Sequence, residues 1–421
     1  MPTQDTNAKS ARARFLTHHY PKNFASLPSP CYVLEEKKFK QNLQLLQSVQ
    51  QRSGAKILLA LKGYALWKSF SLAKTYLSGI TASGIYEARL GYEEFGGEIT
   101  TFSPAYKQEE MQELVQISNH IIFNSFKQWQ TFKEMIESQN QLRERKGKPK
   151  IEIGLRVNPK YSEVSPEIYN PCVEGSRLGI TPKEFKKGIK KFGLEGISGL
   201  HFHTHCEQNS DALKHTLKHF IAHFGEYIPQ MRWINFGGGH HITRKDYDVD
   251  LLVKTIQDFK SKFETEVYLE PGEAVGWQCG FLIGSVVDIV QNGIKVAILD
   301  VSAAAHMPDC LEMPYRPMVR NSFEAKTYKK HHKLRLKGEK PYAYRLGGPT
   351  CLAGDVIGDY SFKEPLKIGD RLIFEDMVHY TIVKNNTFNG IPLPSIGMLH
   401  ENGEFELFKE FSYQDYKQRN S

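Results

Sequence analysis

The sequence has few of the features that mark a secreted, membrane-bound or metal-stabilised protein. Its six cysteines are scattered over 421 residues, and none forms a Cys-x-x-Cys pair of the kind found in structural metal sites and redox motifs. We therefore expect reduced thiols, no metal and a cytoplasmic location. No apolar run approaches the length of a membrane-spanning helix, and the N-terminus has no apolar signal core, so we expect no membrane association.

The chain also lacks a strong concentration of charge of one sign. Its formal net charge is +8, but the basic residues are spread along the chain apart from a cluster at residues 326–340. We interpret that cluster as a solvated loop and expect no nucleic-acid partner. With 40% hydrophobic and 24% charged residues the composition is that of a folded globular protein, and the length favours two domains.

A short apolar run at residues 56–64 ends in a lysine, Lys62. The run is too short for most helices and is typical of a strand buried on both faces. Burial lowers the pKa of a lysine and turns its amine into a nucleophile. The alternative is a lysine that reaches solvent from the end of a strand, so the role of Lys62 depends on which residues the other strands of the fold bring near it.

Strand-like and helix-like segments alternate from this run onward. About eight such alternations over roughly 220 residues match the size and pattern of a TIM-type (β/α)8 barrel. A doubly wound open sheet is the alternative, but the sequence has no Gly-x-Gly-x-x-Gly fingerprint between a strand and a helix to support it. The predicted strands are residues 56–62, 79–83, 98–104, 120–125, 151–159, 196–205, 233–239 and 266–273.

Beyond Gly276 the pattern changes to strands without long amphipathic helices. A hairpin is predicted between residues 281–291 and 294–302, across the turn pair Asn292-Gly293. Further predicted strands are residues 342–346, 366–374, 380–384 and 404–408. We therefore predict an N-terminal extension (1–29), a barrel domain (30–276) and a C-terminal all-β domain (277–421), which the strand near 31–34 could join.

Reactive side chains cluster at the predicted ends of the barrel strands. In such barrels the strand ends meet at one face, where active sites lie. A lysine can form an imine, a histidine can stack on a flat ring, a run of glycines can approach a phosphate, and a buried carboxylate can keep a pyridine nitrogen protonated. The residues are Lys62, Arg156, Asn158, His203, His205, Gly237, Gly238, Gly239, Glu270 and Glu273. This set predicts a pyridoxal phosphate site.

Six motifs carry a resemblance that covers nearly all of the chain from Pro30. They are Leu-Ala-Leu-Lys62-Gly, His201-Phe-His203-Thr-His-Cys-Glu, Asn-Phe-Gly237-Gly-Gly-His-His, Glu270-Pro-Gly-Glu273-Ala, Gly-Pro-Thr-Cys351-Leu-Ala-Gly-Asp355 and His379-Tyr380-Thr. With them the sequence resembles the alanine-racemase-like (fold type III) pyridoxal-phosphate decarboxylases, most closely the carboxynorspermidine and carboxyspermidine decarboxylases of polyamine biosynthesis. The resemblance implies a carboxy-lyase with pyridoxal 5'-phosphate as its cofactor.

The resemblance also assigns roles to residues. It implies that Lys62 binds the cofactor aldehyde, that His203 stacks on the ring and that Glu270 pairs with the ring nitrogen. It implies further that Gly238, Gly239 and Tyr380 contact the phosphate and that Arg156 lies near the ring.

The Cys351 motif has a different role in similar enzymes, where it enters the active site from a second subunit. Cys351 and Asp355 therefore imply a homodimer with shared sites. By analogy Cys351 is a candidate for the acid that reprotonates the substrate carbon, and Asp355 for a contact to substrate. An inert interface thiol is the alternative for Cys351.

One position departs from the related ornithine and diaminopimelate decarboxylases, which have arginine where this chain has Glu273. A carboxylate there repels an acidic substrate terminus and attracts an ammonium group. Together with Asp309 it matches acidic positions of the carboxynorspermidine decarboxylases. We therefore predict that Glu273 and Asp309 bind the amines of a carboxylated polyamine; a solvated surface acid is the alternative for each.

Other functions fit parts of the sequence. A decarboxylase of the diaminopimelate or ornithine type is the nearest alternative, and a racemase would need a basic partner at the ring nitrogen, where Glu270 lies. His201, His203 and His205 alternate along one strand and His240-His241 follow the next, which could indicate a metal-dependent hydrolase. That function would leave Lys62 and the glycine run unexplained. A cofactor carrier without catalysis is the last alternative, although single-barrel proteins of that kind lack the second domain.

Overall fold

The computed structural model describes residues 27–421 and divides them into two compact units. Residues Lys40–Val275 form one unit, and residues 27–39 together with Gly276–Ser421 form the other. The predicted N-terminal extension lies almost wholly outside the described residues. Among those residues no helix is both long and apolar enough to cross a membrane.

The strands of the described residues are numbered here in chain order. They are β1 (Cys31–Glu35), β2 (Lys56–Ala60), β3 (Gly79–Ala82), β4 (Glu98–Phe102), β5 (His120–Phe123), β6 (Glu152–Arg156), β7 (Ile197–His201), β8 (Trp233–Asn235), β9 (Glu266–Leu269), β10 (Gly280–Asn292), β11 (Ile294–Leu299), β12 (Phe323–Lys330), β13 (Lys333–Gly338), β14 (Tyr342–Gly347), β15 (Val356–Phe362), β16 (Arg371–Glu375), β17 (Ser395–Leu399) and β18 (Phe405–Lys409).

The helices are interleaved with the barrel strands but are short in the second unit. In the first part of the chain they are Glu36–Ser53, Phe70–Ala73, Ile85–Leu90, Gln108–Ile117, Phe126–Arg145, Pro182–Phe192, Ser210–Phe224, Val249–Phe263 and Glu273–Gly276. In the second part they are Ala303–His306, Asp309–Glu312, Tyr380–Lys384 and Tyr413–Arg419.

The eight strands β2 to β9 form a closed parallel barrel, as predicted. Closure is made by β2 and β9, in which Lys56 is in register with Tyr268. The apolar run that the sequence shows at β2 is buried on both faces, because the strand lies between the barrel interior and the surrounding helices. The functional residues follow the carboxyl ends of these strands.

The barrel interior is filled by a few large rings. The Trp233 side chain stacks on His120, with ring centroids 5.0 Å apart, and meets Tyr268 edge-on. Two glycines make room for the indole: a Cβ at Gly154 would lie 2.4 Å from it, and one at Gly199 would lie 2.2 Å away. These two strand glycines therefore allow the indole to fill the barrel interior below the strand ends.

The second unit is a ten-stranded sheet with the order β13-β12-β15-β14-β11-β10-β1-β17-β18, and β16 pairs with β10. The predicted hairpin at Asn292-Gly293 is formed by β10 and β11. The strand β1 pairs with β10 and β17 in this sheet, so the chain enters the barrel only after it. Residues 30–39 therefore lie in the sheet unit, and the boundary predicted at residue 30 differs from the one observed.

Two segments of the sheet unit differ from the sequence interpretation. Residues 326–340 are predicted as a solvated loop but lie largely in the hairpin of β12 and β13. In β13 half-buried and exposed residues alternate, so the basic side chains lie on the exposed face of a strand. Residues 380–384 are predicted as a strand but form a helix, since a run of five residues carries too little periodicity to separate the two.

Candidate active site

Lys62 lies two residues beyond β2, in a turn whose N–H groups at Gly63 and Tyr64 donate to the carbonyl of Ala60. Its side chain is accessible from the barrel mouth, and its Nζ lies 3.4 Å from Nε2 of His203. The surrounding protein withdraws the amine from bulk water, and Arg156 adds positive charge, so the pKa of Lys62 is lowered. Its lowered pKa and its position at a strand end suit Lys62 to act as a nucleophilic amine.

His203 lies two residues beyond β7 and faces Lys62 with a defined tautomer. Its Nδ1 accepts a hydrogen bond from the N–H of Gly238 at 2.8 Å, so a neutral ring carries its proton on Nε2. Burial and the charge of Lys62 hold the pKa of His203 well below its ordinary value, which keeps the ring neutral. The Nε2–H group then points to Lys62 and favours the uncharged, hydrogen-bond-accepting amine.

Glu270 follows β9 and is buried, with 7% of its surface exposed. Its Oε1 accepts a hydrogen bond from Nδ2 of Asn235 at 2.7 Å, and its Oε2 lies 3.3 Å from Nε2 of His201. Burial alone would raise the pKa of Glu270, but His201 and the donors Asn235 and Thr81 outweigh it and lower the pKa. The carboxylate is therefore held ionised in a dry place.

Arg156 ends β6 and is also buried. Its Nη2 donates to the carbonyl of His203 at 3.2 Å, and its guanidinium lies over the ring of Phe102, 4.6 Å from the centroid. Burial lowers the pKa of Arg156 to about 10, so it stays charged at neutral pH. Arg156 and Glu270 thus supply opposite charges around Lys62, as the prediction that they share a site requires.

The glycine run follows β8 and packs against neighbouring backbone. Gly237 and Gly239 have φ values of +71° and +80°, which favour glycine. A Cβ at Gly239 would lie 2.1 Å from the carbonyl of His205, and one at Gly238 would lie 2.4 Å from that of Glu270. The N–H of Gly238 is occupied by His203, so this glycine positions the histidine, whereas the sequence interpretation gave it a phosphate contact.

Glu273 begins the helix Glu273–Gly276, three residues beyond Glu270, and is half-buried. Ligand atoms of Glu207, His241 and Glu273 lie within 4.8 Å of one another. Two carboxylates and an imidazole at the barrel mouth suit a cation. The sequence analysis assigns a substrate role to Glu273 alone of the three, although Glu207 and His241 stand in two of the motifs, each a few residues beyond a strand end.

Cys351 lies in the sheet unit, exposed in the loop between β14 and β15, where its N–H donates to Oδ1 of Asn389 at 2.8 Å. Asp355 ends the same loop and is buried. Its carboxylate accepts hydrogen bonds from the hydroxyls of Ser302 and Thr350, at 2.8 and 2.7 Å, and from backbone N–H groups. Asp355 thus holds the Cys351 loop, and its filled acceptor positions argue against the predicted contact with substrate.

Asp309 and Tyr380 also belong to the sheet unit. Asp309 is half-buried and forms an ion pair with Lys384, which Glu312 shares. Tyr380 is the first residue of the helix that ends in Lys384, so this helix links the two predicted residues. The barrel unit therefore holds seven of the predicted residues, Lys62, Arg156, His203, Gly238, Gly239, Glu270 and Glu273, and the sheet unit holds the other four, Cys351, Asp355, Asp309 and Tyr380.

The barrel site fits pyridoxal phosphate. The amine of Lys62, whose pKa is lowered, suits the aldehyde, the imidazole of His203 offers a flat face, and the ionised carboxylate of Glu270 suits a protonated ring nitrogen. A barrel with these side chains at its strand ends, joined to a separate sheet unit, defines a pyridoxal phosphate enzyme of the barrel type.

The comparison with known families agrees with the geometry. Residues 31–378 match the family described as "Pyridoxal-dependent decarboxylase, C-terminal sheet domain". The chain belongs to this family of decarboxylases, which confirms the predicted fold class, enzyme class and cofactor. Membership argues against the alternatives of a metal-dependent hydrolase and a racemase.

Individual relatives are similar over almost the whole chain. A carboxynorspermidine/carboxyspermidine decarboxylase of Campylobacter jejuni is 47% identical over 94% of this chain and 100% of its own length. A carboxyaminopropylagmatine decarboxylase of Synechocystis is 43% identical over 94% of this chain and 96% of its own. The crystal structure of a Campylobacter jejuni carboxynorspermidine decarboxylase complexed with norspermidine superposes with a TM-score of 0.81 at 46% identity, covering 94% of this chain and 100% of that one.

Proposed function

We propose that this protein decarboxylates carboxynorspermidine or carboxyspermidine to norspermidine or spermidine, as a cytoplasmic homodimer in polyamine biosynthesis. The observation that carries the proposal is the carboxylate pair of Glu207 and Glu273 at the mouth of the cofactor site. Two anions there favour a substrate with several ammonium groups, since the unlike charges attract and an acidic substrate terminus is repelled. The similarity to the Campylobacter jejuni enzymes supports the same substrate.

The residues divide the work of the reaction. When bound, pyridoxal phosphate supplies the electron sink for the bond that breaks. Lys62 would hold the cofactor through Nζ, the Nε2–H group of His203 lies beside that nitrogen, and Glu270 would keep the proton on the ring nitrogen. Glu273 and Glu207 orient the substrate by its ammonium groups, which fixes the carboxylate that leaves.

The acid that returns a proton to the substrate carbon is assigned to Cys351 Sγ of the second subunit. The support is local: the thiol is exposed on a loop that Asn389 and Asp355 fix by hydrogen bonds. An ordered loop that presents a proton donor to its surroundings suits a residue that acts on a neighbouring subunit. The proposed cytoplasmic location rests on six free cysteines.

Carboxyaminopropylagmatine is the second candidate substrate, because a relative of that specificity is 43% identical to this chain. It shares a carboxylated aminopropyl group and a cationic tail with the first candidates, so the same carboxylates would attract it.

The test supplies purified protein and pyridoxal phosphate with four substrates in parallel: carboxynorspermidine, carboxyspermidine, carboxyaminopropylagmatine and diaminopimelate. Released carbon dioxide and the amine products are identified. We expect the two carboxylated triamines to give the highest kcat/KM and diaminopimelate the lowest. A preference for carboxyaminopropylagmatine would select the second candidate, and a preference for diaminopimelate would overturn the proposal.

A further inference from the structure

We propose that His201 and Asn235 are positioning residues that hold the Glu270 carboxylate ionised and fixed, and thereby set how firmly the cofactor ring keeps its nitrogen proton. This inference rests on the proposed role of Glu270 and adds two residues to it. His201 and Asn235 stand in the motifs His201-Phe-His203 and Asn235-Phe-Gly237, but the resemblance assigns no role to either.

Three neighbouring strands bring the three side chains together. His201 ends β7 and is in register with Asn235, which ends β8, while Glu270 follows β9. Nδ2 of Asn235 donates to Oε1 at 2.7 Å, and Nε2 of His201 lies 3.3 Å from Oε2, while Thr81 of β3 is a further donor to the carboxylate. Because each partner is on a strand of the closed barrel, the carboxylate is held from two sides by rigid elements.

The asparagine is fixed by a second hydrogen bond. Its Oδ1 accepts the N–H of Gly237 at 2.8 Å, so its Nδ2 must be the atom that faces Glu270. One amide therefore joins the carboxylate to the first residue of the glycine turn, whose next residue donates to His203. His203 and Glu270 are thus parts of one hydrogen-bonded network.

His201 is fixed by packing. It is 1% exposed, and its ring lies against that of Phe102, with centroids 5.6 Å apart. Burial lowers the pKa of His201, the Glu270 carboxylate opposes that shift, and the Nε2 of His201 lies 3.3 Å from Oε2 of Glu270. A buried carboxylate that lost such partners would take up a proton at higher pH.

The other charged or titratable groups around Glu270 are Lys62, Arg156 and His240. These three groups influence the pKa of Glu270 through electrostatic interactions, and all three remain in a variant at His201 or Asn235. A change seen in such a variant therefore reports the missing partner.

The test uses the cofactor-loaded enzyme and follows its visible absorbance as pH is lowered, without substrate. We expect His201→Phe to move the acid-side transition of the spectrum to higher pH and to lower kcat about 10- to 100-fold, the range usual for supporting side chains, with KM nearly unchanged. His201→Gln keeps a donor and should restore part of the loss. His120→Phe, a buried barrel histidine stacked on Trp233, is the matched control and should leave the transition in place.

A double-mutant cycle decides whether the two residues act through Glu270. In a Glu270→Gln background we expect His201→Phe to have little further effect on kcat. The isosteric Asn235→Asp places a second carboxylate beside Oε1 and should also move the transition upward, even if His201→Phe folds poorly. An unmoved transition in both variants, or an equal loss of kcat in both backgrounds, would overturn the inference. If the wild-type enzyme shows the spectrum but turns over no carboxylated polyamine, the proposed substrate fails while the spectral result still decides this inference.

Discussion

At the scale of single residues, the site depends on protonation states that burial and neighbours impose. Lys62 has to be neutral to react, and Glu270 has to be ionised to serve the ring nitrogen. The pKa of Lys62 is lowered because the amine is withdrawn from water beside Arg156, and the glutamate keeps its charge because His201, Asn235 and Thr81 outweigh its burial. Opposite outcomes for two groups in one site follow from different partners.

The first prediction concerns Arg156 and the pH at which the cofactor attaches. The Arg156 charge disfavours protonated Lys62, so Arg156→Gln should raise the pKa of Lys62. With a higher pKa the neutral amine appears only at higher pH, and the midpoint of cofactor attachment should move upward. Borohydride trapping of the Lys62 adduct across pH measures this midpoint. Arg143→Gln, which removes another buried guanidinium, should leave it unchanged.

A second prediction concerns Glu273 and substrate charge. Glu273→Gln removes a charged partner of an ammonium group, an interaction of about 1.5 to 3 kcal/mol. We expect kcat/KM for carboxyspermidine to fall about 10- to 100-fold, mainly through KM, with cofactor binding unchanged. Glu134→Gln, on an exposed helix, is the control. An unchanged ratio of activity between carboxyspermidine and diaminopimelate would remove the role proposed for Glu273.

The reactive residues of the site can be predicted from the sequence, but their hydrogen-bond partners cannot. Lys62, Arg156, His203 and Glu270 were predicted because reactive groups at strand ends meet in a barrel. The sequence could not show that the N–H of Gly238 is used by His203, since this depends on a backbone approach that only the closed barrel produces.

At the scale of elements, the sequence predicts best where burial is complete. All eight barrel strands were placed because apolar runs between amphipathic helices leave one interpretation. The segment Tyr380–Lys384 has residues that favour strands, yet it forms a helix whose Lys384 pairs with Asp309 and Glu312. Tertiary context overrides local propensity here, and it cannot be read from five residues.

The loop between β14 and β15 carries the third prediction, because one buried carboxylate holds it. Asp355→Ala leaves Ser302, Thr350 and two N–H groups without their acceptor. A buried donor without an acceptor destabilises the folded state by about 1 to 3 kcal/mol. We expect a lower free energy of unfolding and faster proteolysis in this loop. Asp355→Asn, which keeps one acceptor, should lose less. Unchanged stability together with a raised KM would return Asp355 to the substrate-binding role.

At the scale of the whole molecule, the residues of the proposed site are divided between two units. The barrel unit holds Lys62, Arg156, His203 and Glu270, and the sheet unit holds Tyr380 and, on an ordered loop, Cys351. If the thiol acts across a two-fold dimer, each active site contains residues from both chains.

The last prediction concerns active sites shared between the two chains of a dimer. Lys62→Ala and Cys351→Ala should each be nearly inactive as pure proteins, for different reasons: the first binds no cofactor covalently, and the second binds it but cannot return the proton. When equal amounts are unfolded and refolded together, half of the dimers combine one chain of each kind, and each such dimer holds one site with both native residues. Activity should therefore recover to about a quarter of the wild-type value. Sites built within a single chain would give no recovery, because no chain in the mixture carries both residues.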